Sequence, residues 1–223
     1  MDRSAAFYDA IVGPPVRDLV RLTASDDPGP APTRASGLFH TAFLYPTRGQ
    51  LGAALLRVAA ERAPFTGASD HLVSEALYLD DPDVLGIELY RDRPRESWPA
   101  PEEGERVRMD TLPLDLHGLA SEAEGDADGV RIGHVHLKVA DVEEATRFWT
   151  EEVGLELMTG WAGQAAFLAA DGYHHHIGVN AWYSRGQPLA PDSAPGIEAV
   201  VLGGTGRSAE LRTPDGVRVV LEP

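Results

Sequence analysis

Apolar positions recur at helical spacing in residues 3–12 (RSAAFYDAIV) and again, over a longer stretch, in residues 48–62 (RGQLGAALLRVAAER). Gly13, Pro14 and Pro15 are expected to stop the first helix. A short strand is expected at Asp18–Leu22, and residues 24–37 (ASDDPGPAPTRASG) read as a Pro/Gly/Ser loop. Leu38–Tyr45 is an apolar strand interrupted by His40. Gly67–Pro94 then reads as a hairpin region. Asp70 and His71 precede the apolar run Glu75–Leu79, an Asp-Asp-Pro-Asp turn follows, and Leu85–Tyr90 forms a second strand holding one carboxylate, Glu88. Residues 95–129 are polar and acidic, with local structure expected around Met109–Leu119.

The pattern then starts again. Arg131–Val139 alternates as a strand, and Asp141–Glu152 is a helix opened by a capping aspartate and closed by Gly154. Residues 155–159, 164–169 and Tyr173–Trp182 are three more strands. Residues 130–183 therefore repeat the element order of residues 37–94, strand, helix, then strands, with faint sequence identity. The tail from Gly196 offers two strands, IEAVVL and VRVVLE. The chain divides into a truncated module with its loop (1–36), a whole module (37–94), an acidic connector (95–129), a second whole module (130–185) and a truncated last module (196–223).

Composition narrows the chemistry. The 223 residues contain no cysteine, which excludes disulfides, thiolate metal sites and cysteine nucleophiles, so any metal must be held by His, Asp or Glu. A net charge of −16 repels nucleic acid and anionic membrane. No apolar run reaches the length of a membrane span and the N-terminus does not read as a signal peptide, so a cytoplasmic protein is expected.

His40, Glu88 and His134 are the candidate ligands. A carboxylate amid apolar neighbours is costly to bury without a partner, although an edge-strand glutamate facing water would have the same pattern. Either histidine alone would read as an ordinary core or surface residue, but the two occupy matching places, each early in the first strand of its module. Two histidines and a carboxylate with open positions form the facial triad of non-haem Fe(II) chemistry with oxygen. In the run His174-His175-His176, a strand would turn His175 away from its neighbours, and a lone neutral histidine suits acid–base work. His71 and Tyr78 can hydrogen-bond a substrate oxygen, or serve as ordinary hairpin polar residues.

The stretches LFHTAFLYPTR, GASDHLVSEALYLDDP, GIELYRDRP, IGHVHLKVAD and GYHHHIGVNAW, with RSAAFY at Arg3–Tyr8, resemble the extradiol catechol 2,3-dioxygenases of the vicinal oxygen chelate superfamily. That resemblance implies an α+β fold of paired βαβββ modules curled into a metal-binding cup. It implies Fe(II), with Mn, Zn or Ni as alternatives, on His40, Glu88 and His134, and His175 as the active-site histidine. The implied reaction is the opening of a small aromatic diol by O2 to a muconic semialdehyde. Separately from the resemblance, the strand edges left open by truncated modules lead to the expectation of a homodimer, since an open edge tends to be covered. Aromatic content makes Trp161, Trp182 and Tyr183 candidates to line the pocket.

Two departures stand out. The end modules are eroded, so the two whole modules are expected to make the working cup and the end modules a second, non-catalytic one. The turn before Glu88 reads Asp-Pro-Asp-Val-Leu-Gly where the family has Gly-Asn before the last glycine. Val84 and Leu85 do not readily take positive φ, so a different turn is expected. The same superfamily also contains glyoxalase-like isomerases and lyases and non-enzymatic binding proteins. An isomerase would need a second carboxylate, but the histidine run fills the place matching Glu88.

Overall fold

The computed structural model describes residues 2–13, 16–24, 29 and 32–223. The expected stop at Pro14 and Pro15, and residues 25–28, 30 and 31 of the loop expected at 24–37, lie outside the described residues. Two compact units emerge, one of residues 1–26, 40–103 and 107–134, the other of residues 27–39, 104–106 and 135–223.

In the first unit, helices α1 (Asp2–Ile11) and α2 (Val16–Leu19) lead to β1 (Gly37–Leu44) and α3 (Arg48–Glu61). Thr47 starts α3 in a reciprocal box with Gln50. Strands β2 (Phe65–Asp70), β3 (Ser74–Asp80) and β4 (Gly86–Asp92) follow, then α4 (Leu116–Ser121) and β5 (Arg131–Lys138). Strand order is β2-β3-β4-β1-β5, with β4 antiparallel to β3 and parallel to β1. Alternation divides the sheet's side chains. Phe43, Leu77, Leu79, Ile87 and Leu89 pack with Leu51, Ala54 and Val58 of α3 and Leu119 of α4. Ala42, Leu44, Ala76 and Tyr90 cluster on the other face. His40 and Glu88 share the second face with Ala42 and Tyr90 by the two-residue period.

The strand expected at Asp18–Leu22 is not formed. Val16 instead opens a single helical turn, with Val16 N–H donating to Gly13 O and Val20 N–H to Val16 O, because burying Val16 in the core favours a turn over an unpaired strand. Residues 95–129 carry a 3-10 turn at Arg95–Ser97 as well as α4.

In the second unit the order is β5-β8-β7-β6, from β6 (Glu156–Trp161), β7 (Ala165–Ala169) and β8 (Ile177–Asn180). Asp141 caps α5 (Val142–Arg147), which widens into a π-helical stretch, Phe148–Val153, ended by Gly154 at φ 96°. Leu137, Trp149, Leu168, Ile177 and Val179 form the core. The tail has three strands rather than two, β9 (Ala199–Leu202), β10 (Ala209–Arg212) and β11 (Arg218–Leu221), ordered β10-β11-β9. The strand expected at Tyr173–Trp182 is shorter than its pattern. Asp171 and Gly172 both take positive φ, and the histidine run lies in the loop that follows, so the alternation argued for His175 does not apply.

Candidate metal centre

Three strands of the first unit bring His40, Glu88 and His134 together. All three are buried, at 6%, 3% and 2% exposure. His40 Nε2 lies 2.9 Å from Glu88 Oε2 and 3.3 Å from His134 Nε2, and His134 Nε2 is 3.0 Å from the same carboxylate oxygen. Donor atoms at right angles on an ion, with bonds of about 2.1 Å, stand about 3.0 Å apart; on a tetrahedral ion they stand about 3.4 Å apart. Two of the observed spacings fall near the first value and the His40–His134 spacing near the second, so the three donor atoms are close enough to be shared by one ion. Two imidazoles and one carboxylate suit Fe, Mn, Zn or Ni.

Burial alone pushes the Glu88 carboxyl up, but the attraction of His134 and His40 and their hydrogen bonds outweigh it and hold the group well below the usual carboxylate range. Glu88 is therefore held as a carboxylate.

Tyr78 sits opposite Glu88 in the β3–β4 register, with its ring 5.8 Å from that of His40. Its hydroxyl is 2.6 Å from His71 Nε2, and His71 Nδ1 is 2.7 Å from Asp110 O. A carbonyl can only accept, so His71 carries its proton on Nδ1 and Nε2 accepts from the Tyr78 hydroxyl. Burial, and then the charge of Glu88, pushes the Tyr78 phenol well above its usual range.

No family model matches the chain. It is 45% identical, over 169 residues, to the catechol-2,3-dioxygenase of Bacillus subtilis strain 168, a match spanning 73% of this chain and 59% of that protein. The chain thus spans about three-fifths of the length of this curated relative. A solved Bacillus subtilis protein provisionally named a dioxygenase superposes with a TM-score of 0.51 and 14% identity, covering 89% of this chain and 70% of its own. The chain shares its fold with that solved protein. A maize glyoxalase I variant also aligns, with a TM-score of 0.49, 13% identity and coverage of 99% of this chain and 89% of that one.

The remaining candidates fall in the second unit. His175 is buried, with Nδ1 2.7 Å from His174 Nδ1 and its ring 5.0 Å from Phe167. Trp161 packs on Phe167 and Trp182 on Phe39 and His136, while Tyr183 is 64% exposed.

Sequence reasoning missed Tyr90, whose ring lies 4.9 Å from that of His134 and braces it. A β-carbon on Gly133 would fall 1.7 Å from the Tyr90 hydroxyl, so glycine is required there for the two strands to seat this pair. The signal was present, since Tyr90 is two residues beyond Glu88 and shares its face. His136 lies opposite Gly178 in the β5–β8 register. It accepts from Asn180 Nδ2 at 3.1 Å, the Asn180 carbonyl being turned to the Trp182 N–H.

Proposed function

We propose that this protein is a metal-dependent extradiol dioxygenase that opens the ring of a catechol-like diol with O2. The observation that carries this reading is the mutual approach of His40, Glu88 and His134 donor atoms to 2.9–3.3 Å on one buried face. The identity to a relative named catechol-2,3-dioxygenase supports it. His40, His134 and Glu88 would hold divalent iron, which when bound supplies the chemistry by which a diol and dioxygen react.

In this reading the chain's own groups orient and move protons. Glu88 stays ionised and would offset one of the ion's two positive charges. Tyr78 donates to His71 and so presents its free lone pairs to a diol hydroxyl. A proton taken from the diol at Tyr78 can pass on to His71 Nε2, while the Asp110 carbonyl fixes the His71 ring.

The test is anaerobic loading with Fe(II), followed by catechol and air. A yellow ring-opened product is expected, and Glu88→Ala should reduce its formation to below about one hundredth, because the loss of a ligand exceeds the 10–100-fold effect of second-sphere changes. Metal binding that yields no product from catechol or substituted catechols would overturn the reading.

A further inference from the structure

The turn that launches β4 is held from outside the sheet. Asp81-Pro82-Asp83-Val84-Leu85 joins β3 to β4, with Asp81 N–H donating to Leu85 O at 2.8 Å and Val84 N–H to Asp81 O at 3.0 Å. Asp81 Oδ1 accepts from both Asp83 N–H and Leu85 N–H at 2.8 Å. Val84 sits at φ 63°, a region that a β-branched residue resists, and its side chain is 64% exposed, so no packing of its own compensates.

What does compensate is α1. Tyr8 donates its hydroxyl to Asp81 Oδ2 at 3.2 Å, in a buried contact. Ser4 Oγ donates to Asp83 Oδ2 at 2.8 Å, and Arg3 Nη2 donates to Pro82 O at 3.1 Å and Asp83 Oδ1 at 2.6 Å. Ser4 and Tyr8 are four residues apart and so share one helix face. The far end of α1 is itself anchored, because Tyr45 Oη donates to Val12 O and Ile11 and Val12 are fully buried.

Glu88 lies only three residues beyond Leu85. Its face is fixed by the hairpin register that pairs Asp80 with Gly86 and Tyr78 with Glu88. A slip of one residue would send Glu88 to the α3 side and bring Ile87 or Leu89 to the histidines. We infer that α1 is a clamp on the Asp81–Leu85 turn, and that Arg3, Ser4 and Tyr8 are positioning residues that hold Glu88 in register as a metal ligand. This rests on the metal-binding part of the proposed function.

The experiment measures Co(II) binding by calorimetry, without any diol, in the full chain. The variant Arg3→Ala/Ser4→Ala/Tyr8→Phe removes the grip and leaves the turn's internal bonds intact. At least a tenfold loss of Co(II) affinity is expected with the far-UV circular dichroism unchanged. Adding Val84→Gly to that variant should restore the affinity, because glycine takes positive φ without help. Unchanged affinity in the triple variant would overturn the inference. So would a loss that Val84→Gly does not repair, which would mark α1 as general scaffolding. In either case intact Co(II) binding by the parent chain leaves the functional reading standing, whereas a parent chain that binds no Co(II) fails that reading first.

Discussion

Val84 places a β-branched side chain where glycine or asparagine is at ease. A residue in that region stores strain of about 1–3 kcal/mol. Val84→Gly loses some of that relief to the greater freedom of the unfolded chain, so a net gain of about 1 kcal/mol is expected, read from urea midpoints. The positive φ itself was not legible. A local reading of Asp-Pro-Asp-Val-Leu-Gly argues against it, and the forces that impose it come from Asp81 and from a helix more than seventy residues upstream. Asp81 has its own pH signature. Burial, partly opposed by the Leu85, Asp83 and Tyr8 bonds, keeps its carboxyl above the ordinary carboxylate range. A group raised in this way contributes stability that is fully present below its unfolded pKa of about 4 and is lost as pH rises through the higher folded value. Asp81→Asn keeps the Oδ1 acceptor, so its stability should lack that decline. Urea midpoints from pH 4 to 8 should show the two proteins diverging as pH increases; parallel curves would refute this.

At the scale of elements, α3 and α4 meet through glycine. In a helix interior Gly→Ala ordinarily adds about 1 kcal/mol of stability. Gly52 is an exception, because a β-carbon there would stand 2.4 Å from the Leu119 carbonyl oxygen, a backbone atom that cannot swing aside. Gly52→Ala should therefore destabilise the protein, by about 1–3 kcal/mol, as measured by thermal melting. Strongly periodic elements were legible from sequence: α3, β1, β3 to β5 and the capped start of α5 lie where their patterns put them. Those that misled have physical reasons. The histidine run looks strand-like by composition, but the turn at Asp171-Gly172 and the bond from Ala170 N–H to His176 Nδ1 hold it as a loop. β10 is half-exposed and polar enough to read as a turn, and a π-helical stretch has no sequence period of its own.

For the molecule as a whole, the repeated element order could be read along the chain, and so could the three residues that meet on one face. The partners that hold them could not, because Tyr90, Gly133 and the α1 contacts act across long sequence separations. Among the described residues, no helix is long and apolar enough to cross a membrane. With three donors buried and converging, bound metal should stabilise the fold. An ion present at a hundred times its dissociation constant adds about 2.7 kcal/mol, so chelation should lower the melting temperature by several degrees. Equal melting with and without chelator would count against His40, Glu88 and His134 as a metal site.

Of the four tryptophans, Trp149, Trp161 and Trp182 belong to the second unit and only Trp98 to the first, while Trp149 is wholly enclosed. Intrinsic fluorescence is thus dominated by the half of the protein that lacks the triad. An emission change on denaturation reports chiefly on the core around Trp149. Events at the triad are better followed through tyrosine absorbance, since Tyr78 and Tyr90 lie beside its histidines.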